Sequence, residues 1–108
     1  MASVLLVENN RMLRTMYTAG MSGYGYNVHE ATSLNQAFDL LEEGLVPDIL
    51  ITDWKLVGGS VESLVQAVES VSPNVRVIIA TGHANAVTCR ADHILPKNTG
   101  IMEILSLI

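Results

Sequence analysis

The chain has 108 residues, of which 49% are hydrophobic and 16% charged, and its formal net charge at pH 7 is −5. This length is typical of one domain, and the hydrophobic content excludes a disordered chain. The sequence has no uninterrupted hydrophobic run long enough for a transmembrane helix, and it has no basic run of the kind that binds nucleic acid. Its single cysteine, Cys89, excludes an internal disulfide and favours a reducing, cytoplasmic location.

The first predicted strand covers residues 3–7, a short run of valine and leucine that ends at Glu8 and Asn9. A helix is expected next, because the side chain of Asn9 or Asn10 can accept hydrogen bonds from the N–H groups at a helix N-terminus. Side chains at helical spacing predict its apolar face, which consists of Leu13, Met16, Tyr17 and Gly20.

The second predicted strand, residues 26–31, alternates only weakly in polarity, as expected near a sheet edge. Ser33 and Gln36 form a capping-box pattern at the start of a second helix. Its apolar face consists of Leu34, Ala37, Phe38 and Leu41. The third strand, residues 49–53, is apolar almost up to its last residue, Asp53, which is typical of a strand buried on both faces of a parallel sheet.

The second half of the chain continues this alternation, with one exception. A third helix is expected after Ser60, with an apolar face of Val61, Leu64, Val65 and Val68. The fourth and fifth strands are predicted at residues 75–80 and 91–95. Residues 85–90 between them have room for only ~9 Å of helix, so the fourth helix is predicted to be shortened. The apolar face of the last helix consists of Ile101, Ile104, Leu105 and Ile108.

Strands that alternate with helices in this way predict an α/β fold, a doubly wound parallel sheet with helices on both faces. The C-terminal ends of all its strands lie along one edge, which is where ligands bind in such sheets. The polar residues expected at that edge are Glu8, Asn9, Asp53, Thr81 and Lys97. The sequence therefore places two carboxylates, an amide, a hydroxyl and an ammonium group together.

This set of side chains suits the chemistry of a divalent metal and a phosphoryl group. Mg²⁺ is bound in proteins by one or two carboxylates and keeps several waters. Asp53 can serve as metal ligand and as nucleophile, because aspartate side chains form aspartyl-phosphates. Mg²⁺, Lys97 and Thr81 can each neutralise or hydrogen-bond the phosphoryl oxygens.

Five stretches of the chain resemble, in the same order, the receiver domains of two-component response regulators. They are VLLVEN at 4–9, GYNV at 25–28, PDILITDW at 47–54, VIIATGH at 77–83 and ILPK at 94–97. The resemblance implies one receiver domain over residues 1–108, with a five-stranded sheet in the flavodoxin-like order 2-1-3-4-5. It also implies that the chain acts in a phosphorelay as a phosphoprotein.

The resemblance also implies a role for each residue at the sheet edge. Asp53 would accept a phosphoryl group from a histidine kinase or phosphotransfer protein, Thr81 would turn toward the phosphate, and Lys97 would pair with it. The implied ligands of Mg²⁺ are Glu8, Asn9, Asp53 and the backbone carbonyl of Lys55. Such a domain would catalyse at most its own dephosphorylation and is not expected to be an enzyme.

The sequence departs from the family pattern at several positions. An acidic pair is usual where this chain has Glu8 and the neutral Asn9, which removes a negative charge and predicts weaker metal binding. Asn98 replaces the proline usual after the lysine, so a cis peptide after Lys97 is not expected. Ile94 stands where an aromatic switch residue is usual.

The Glu8-Asn9 pair, Ile94 and the shortened fourth helix support an alternative, a degenerate receiver that binds a partner without being phosphorylated. Two enzyme classes fit less well. A hydrolase with an aspartyl-phosphate intermediate needs a carboxylate two residues after the nucleophile, where this chain has Lys55. A flavin-binding protein of flavodoxin type needs a phosphate-binding loop after the first strand, where Glu8 would repel phosphate.

The expected partner surface lies on the fifth strand and the last helix. Ile94, Met102 and Leu107 can form an apolar patch there, which predicts a homodimer. No binding to nucleic acid or membrane is expected of this domain. The apolar C-terminal end favours a piece of a longer protein.

Overall fold

The computed structural model describes residues 2–108, and it contains all five expected strands. These are β1 Ser3–Val7, β2 Asn27–Ala31, β3 Ile49–Asp53, β4 Arg76–Ala80 and β5 His93–Leu95. They form a parallel sheet in the order β2-β1-β3-β4-β5, as the resemblance implied. Every residue of the central strand β3 is buried, whereas β2 and β5 are the edges.

Four α-helices cover the two faces of the sheet: α1 Arg11–Gly23, α2 Leu34–Glu42, α3 Val61–Val71 and α4 Ile101–Leu105. Buried side chains of α2 and α3 pack with Leu5 and Leu50 on one face. Those of α1 and α4 pack with Leu6 and Ile51 on the other face. Since adjacent strand residues point to opposite faces, this division confirms the doubly wound arrangement.

Three of the helices begin at the capping residues expected from the sequence. Asn10, Ser33 and Ser60 each accept a hydrogen bond on their side chains from the backbone N–H three residues later, at 3.0, 3.2 and 3.1 Å. Each bond satisfies an N–H group that has no partner within its own helix. Glu8 and Asn9 are therefore left between the end of β1 and the start of α1.

The predicted apolar face of α1 is partly wrong, because Met16 is 41% exposed. The fully buried residues of this helix are Tyr17 and Met21. Successive helix residues are about 100° apart around the axis, so Met16 lies at the border of a stripe centred on Tyr17. Gly20 faces α4 so closely that a Cβ atom there would lie 2.4 Å from Cγ1 of Ile101.

The segment between β4 and β5 contains less helix than predicted. It contains a single 3₁₀ turn, Ala84–Ala86, and no α-helix among residues 81–92. Val87, Cys89 and Ala91 pack partly buried against the side chains of the α2 and α3 face. Among residues 2–108, no helix is long and apolar enough to cross a membrane.

Candidate functional site

Two carboxylates lie side by side at the C-terminal edge of the sheet. Val7 pairs with Thr52 in the parallel register, so the residues that follow them, Glu8 and Asp53, are neighbours. Glu8 is 2% exposed and Asp53 is 5% exposed. Two buried negative charges on neighbouring residues are costly unless a cation or hydrogen-bond donors compensate them.

Lys97 supplies that cation. Its Nζ lies 2.6 Å from Oδ2 of Asp53 and 3.7 Å from Oε2 of Glu8. The hydrogen bond to Asp53 raises the pKa of Lys97 above its ordinary value, against the opposing effect of partial burial. The ammonium group therefore stays charged at neutral pH and bridges the two acids.

Backbone donors complete the environment of the two acids unequally. The N–H of Asn10 donates to Oε2 of Glu8 at 2.8 Å. The N–H of Lys55 donates to Oδ1 of Asp53 at the longer distance of 3.4 Å. Oδ1 is thus the less strongly held oxygen of Asp53, and it belongs to a residue that lines an open cleft.

That cleft has a volume of about 230 Å³ and is lined by Asp53, Lys55, Thr81, Gly82, His83 and Lys97. Thr81 follows β4 and is 3% exposed. Its backbone N–H donates to the carbonyl of Leu95 at 2.9 Å, and its Oγ1 accepts a hydrogen bond from the N–H of His83 at 3.0 Å. The hydroxyl proton of Thr81 therefore remains available to an acceptor in the cleft.

Among the predicted site residues, Asn9 and Lys55 have the side chains that take least part in contacts at the site. Asn9 is exposed, and its side chain makes no hydrogen bond within the described part of the chain. The side chain of Lys55 is also exposed, but its backbone adjoins Asp53. The structure thus brings Glu8, Asp53 and Lys97 into direct contact and places Thr81 beside them, while Asn9 lies outside this contact.

The donor set fits a cation, although it is small. No group of three or more His, Cys, Asp and Glu side chains suitable for a metal occurs among residues 2–108. The two buried carboxylates nevertheless converge on one positive charge, the ammonium group of Lys97. A pair of carboxylates with backbone oxygen and water is a set that Mg²⁺ accepts.

Sequence reasoning missed two residues that hold the lysine loop. The buried hydroxyl of Tyr17 donates to the carbonyl of Thr99 at 2.9 Å and lies 3.5 Å from the carbonyl of Lys97. Thr99 donates in turn, from Oγ1 and from its N–H, to the carbonyl of Pro96 at 2.7 and 3.0 Å. A tyrosine within an apolar stripe does signal a need for a hydroxyl partner, but the partner is remote in sequence.

Comparison with known proteins shows what this chain is similar to. A family model described as the response regulator receiver domain matches residues 4–108. The chain is 30% identical over 90 residues to the sensor kinase CckA of Brucella abortus, covering 82% of this chain and 10% of that protein. It is 21% identical over 113 residues to the DNA-binding transcriptional regulator NtrC of Azospirillum brasilense, covering 99% of this chain and 23% of that protein. The chain therefore spans a small part of either relative.

A solved structure shows the same fold. It is a response regulator protein from Burkholderia pseudomallei with a phosphorylated aspartic acid, calcium ion and citrate. The TM-score is 0.83 at 24% sequence identity, and the match covers 98% of this chain and 65% of that one. At this identity the likeness concerns the fold.

Proposed function

We propose, because this chain belongs to the response regulator receiver domain family, that phosphorylation of Asp53 switches its binding to a partner. Receiver domains are signalling modules of two-component systems rather than typical enzymes. One observation carries the proposal for this chain: the Asp53 carboxylate is paired at 2.6 Å with Lys97 in a cleft that Thr81 also lines. The cleft thus offers a nucleophile and two groups that stabilise phosphoryl oxygens.

The proposed reaction is transfer of a phosphoryl group from a phosphohistidine of a kinase or phosphotransfer protein. An oxygen of the Asp53 carboxylate attacks phosphorus, an O–P bond forms, and the bond from phosphorus to the imidazole nitrogen breaks with its electron pair on the imidazole. Oδ1 suits the attack, because its only described hydrogen bond is 3.4 Å long. Lys97 and the hydroxyl of Thr81 then offset the charge on the phosphoryl oxygens.

The proposed cofactor is Mg²⁺, which would supply positive charge next to the phosphoryl group. Glu8, Asp53 and the backbone carbonyl of Lys55 would hold it, with the Asn9 amide as a neutral fourth ligand. The phosphorylated aspartic acid and calcium ion in the Burkholderia pseudomallei structure support a divalent cation in this family. Because Asn9 carries no charge, we expect Mg²⁺ to bind more weakly than at a site with a third carboxylate.

Acetyl phosphate with Mg²⁺ tests the proposal without a kinase. We expect intact-mass spectrometry to show the addition of one phosphoryl group, and Asp53→Asn to abolish it. Asp39→Asn, an exposed acid on α2, is the matched control and should be phosphorylated like the wild type. If no adduct forms at high Mg²⁺ concentration, the result contradicts this proposal and favours the alternative, a protein-interaction module that acts without phosphorylation.

The proposed phosphodonor is a histidine kinase or phosphotransfer protein, in agreement with a relative named as a sensor kinase. A cytoplasmic location goes with such a donor and with the free thiol of Cys89. We propose no nucleic-acid or membrane binding by this domain, because its net charge is −5.

A homodimer through β5 and α4 also stays a proposal. Ile94 is 41% exposed and Met102 is 63% exposed. Ile94 pairs in register with Ile79 and so faces the side of α2 and α3, whereas α4 covers the other side. An interface would therefore have to wrap around the edge strand. Light scattering over a range of protein concentrations should show a dimer, and a constant monomer mass would refute it.

A further inference from the structure

The loop that carries Lys97 has little support from the sheet. It follows β5, an edge strand of three residues that pairs only with β4. Lys97 itself is partly exposed, with 37% of its side chain accessible. Its ammonium group nevertheless lies 2.6 Å from Asp53. Something other than the strand must therefore fix the turn from which this side chain extends.

The turn is closed internally by Thr99. Both the N–H and the Oγ1 of Thr99 donate to the carbonyl of Pro96, at 3.0 and 2.7 Å. These two bonds enclose Lys97 and Asn98 in one tight turn. Thr99 is 6% exposed, and the hydrogen bond that its carbonyl accepts is buried, so this carbonyl needs a donor from the protein.

Tyr17 supplies that donor from another element. Its ring is 1% exposed within the core between α1 and the sheet. Its hydroxyl donates to the Thr99 carbonyl at 2.9 Å and lies 3.5 Å from the Lys97 carbonyl. A ring fixed by packing holds its hydroxyl at one place, so the turn is tied to α1.

From these contacts we propose that Tyr17 is the positioning residue for Lys97: its hydroxyl ties the 96–99 turn to the core and so directs the Lys97 ammonium group at Asp53. Tyr17 itself does not reach the carboxylates. It acts through the backbone of the turn. The role of Tyr17 in placing Lys97 does not depend on the proposed function. The expected effect of Tyr17 on phosphorylation rests on the proposed function.

Tyr17→Phe removes one hydroxyl and keeps the packed ring. Tyr26→Phe is the matched control, because Tyr26 packs partly buried against the same face of the sheet and its hydroxyl makes no hydrogen bond among residues 2–108. Urea unfolding identifies conditions in which all the variants are folded. If Tyr17→Phe is too unstable, Thr99→Val loosens the same turn with Tyr17 intact and should have the same effect.

The first readout is the ¹H–¹⁵N signal of the Lys97 ammonium group without Mg²⁺ or phosphodonor. This signal is visible when an ion pair slows exchange of the ammonium protons with water. We expect Tyr17→Phe to speed the exchange by about 3- to 10-fold, the effect of one buried hydrogen bond, and Tyr26→Phe to leave it unchanged. An unchanged Lys97 signal in folded Tyr17→Phe would refute the proposal.

The second readout is the rate of phosphorylation by acetyl phosphate. We expect Tyr17→Phe to slow it by about 3- to 10-fold, and to have no further effect when Lys97 is already replaced in Lys97→Met. An equal slowing in the Lys97→Met background would show that Tyr17 acts on general structure and not through Lys97. If the wild type is not phosphorylated at all, the proposed function fails, and the ammonium signal still decides the role of Tyr17.

Discussion

The acids and the cation of this site are held in different ways. Glu8 and Asp53 stand at the ends of β1 and β3, two adjacent inner strands, and both are nearly inaccessible to solvent. Lys97 follows the short edge strand β5, and its side chain is partly exposed. The position of the two acids thus depends on paired strands, and the position of Lys97 depends on a few contacts between residues distant in sequence.

This contrast bears on how the site can change. The buried strands fix the acids, because β3 is paired with β1 through residues 49–52 and with β4 through residues 49–53. The 96–99 turn has no second strand beside β5 and depends on Tyr17 and on the packing of α4 against α1. Structural changes at the site should therefore arise on the Lys97 side, since few contacts resist them.

The largest expected effect comes from removing the cation. In Lys97→Met, Glu8 and Asp53 lose the charge that offsets them, and we expect about 1 to 2 kcal/mol lower stability without Mg²⁺. This figure is below that for a fully buried pair because the Lys97 side chain is partly in water. Mg²⁺ should then raise the melting temperature of the variant more than that of the wild type, because Lys97 no longer competes for the acids.

Lys55→Met is the control for that experiment. It removes the same charge from an exposed side chain near the cleft and retains the backbone carbonyl. Its melting temperature and its response to Mg²⁺ should stay close to those of the wild type. Equal stabilisation by Mg²⁺ in wild type and Lys97→Met would mean that the two acids do not form a common cation site.

The half of the site held by strands could be predicted from the sequence. The predicted bounds of the first and third strands agree with β1 and β3. Their apolar, β-branched runs end at Glu8 and Asp53, and parallel pairing then leaves little choice of position for these acids. The local pattern is sufficient here because the residue types of these runs and their burial on both faces predict the same strands with the same last residues.

The other half could be predicted only in part. Lys97 was placed at the correct edge, but the Tyr17 hydroxyl bond to Thr99 joins residues 82 positions apart, which no local pattern encodes. The sequence predicts Met16 on the buried face, and this is wrong because helical spacing alone does not define the border of an apolar stripe to within one residue. Asn9 follows the first strand as expected and is exposed, and its role as a metal ligand stays a prediction.

A smaller effect is expected where α4 rests on α1. In Gly20→Ala the new Cβ would lie 2.4 Å from Cγ1 of Ile101, so α4 must shift. Overpacking costs about 1 to 3 kcal/mol, and the better helix propensity of alanine returns about 1 kcal/mol. We therefore expect a net loss of up to about 2 kcal/mol in urea unfolding. Gly23→Ala, with no atom within 4 Å of the new Cβ, should be neutral or stabilising, and the same sign for both variants would contradict this packing.

The smallest effect is expected at alkaline pH and concerns Tyr17. Burial, and then the charge of Glu8, raise its pKa above the ordinary value of 10.0, while Lys97 acts in the opposite direction. The folded protein therefore keeps this proton at a pH where the unfolded chain has lost it. The stability that Tyr17 contributes is complete below pH 10.0 and declines as the pH rises toward the folded-state pKa.

Urea unfolding at several pH values between about 9 and 11 measures this decline. Wild type and Tyr17→Phe share the alkaline titration of the other tyrosines and of the lysines apart from Lys97, so the difference between their two curves reports on Tyr17 and on the Lys97 ion pair that it positions. We expect the free energy of unfolding to fall less steeply with pH in Tyr17→Phe than in wild type. Parallel curves would mean that the Tyr17 hydroxyl ionises as readily in the folded protein as in the unfolded chain, and that the core does not hold it against the 96–99 turn.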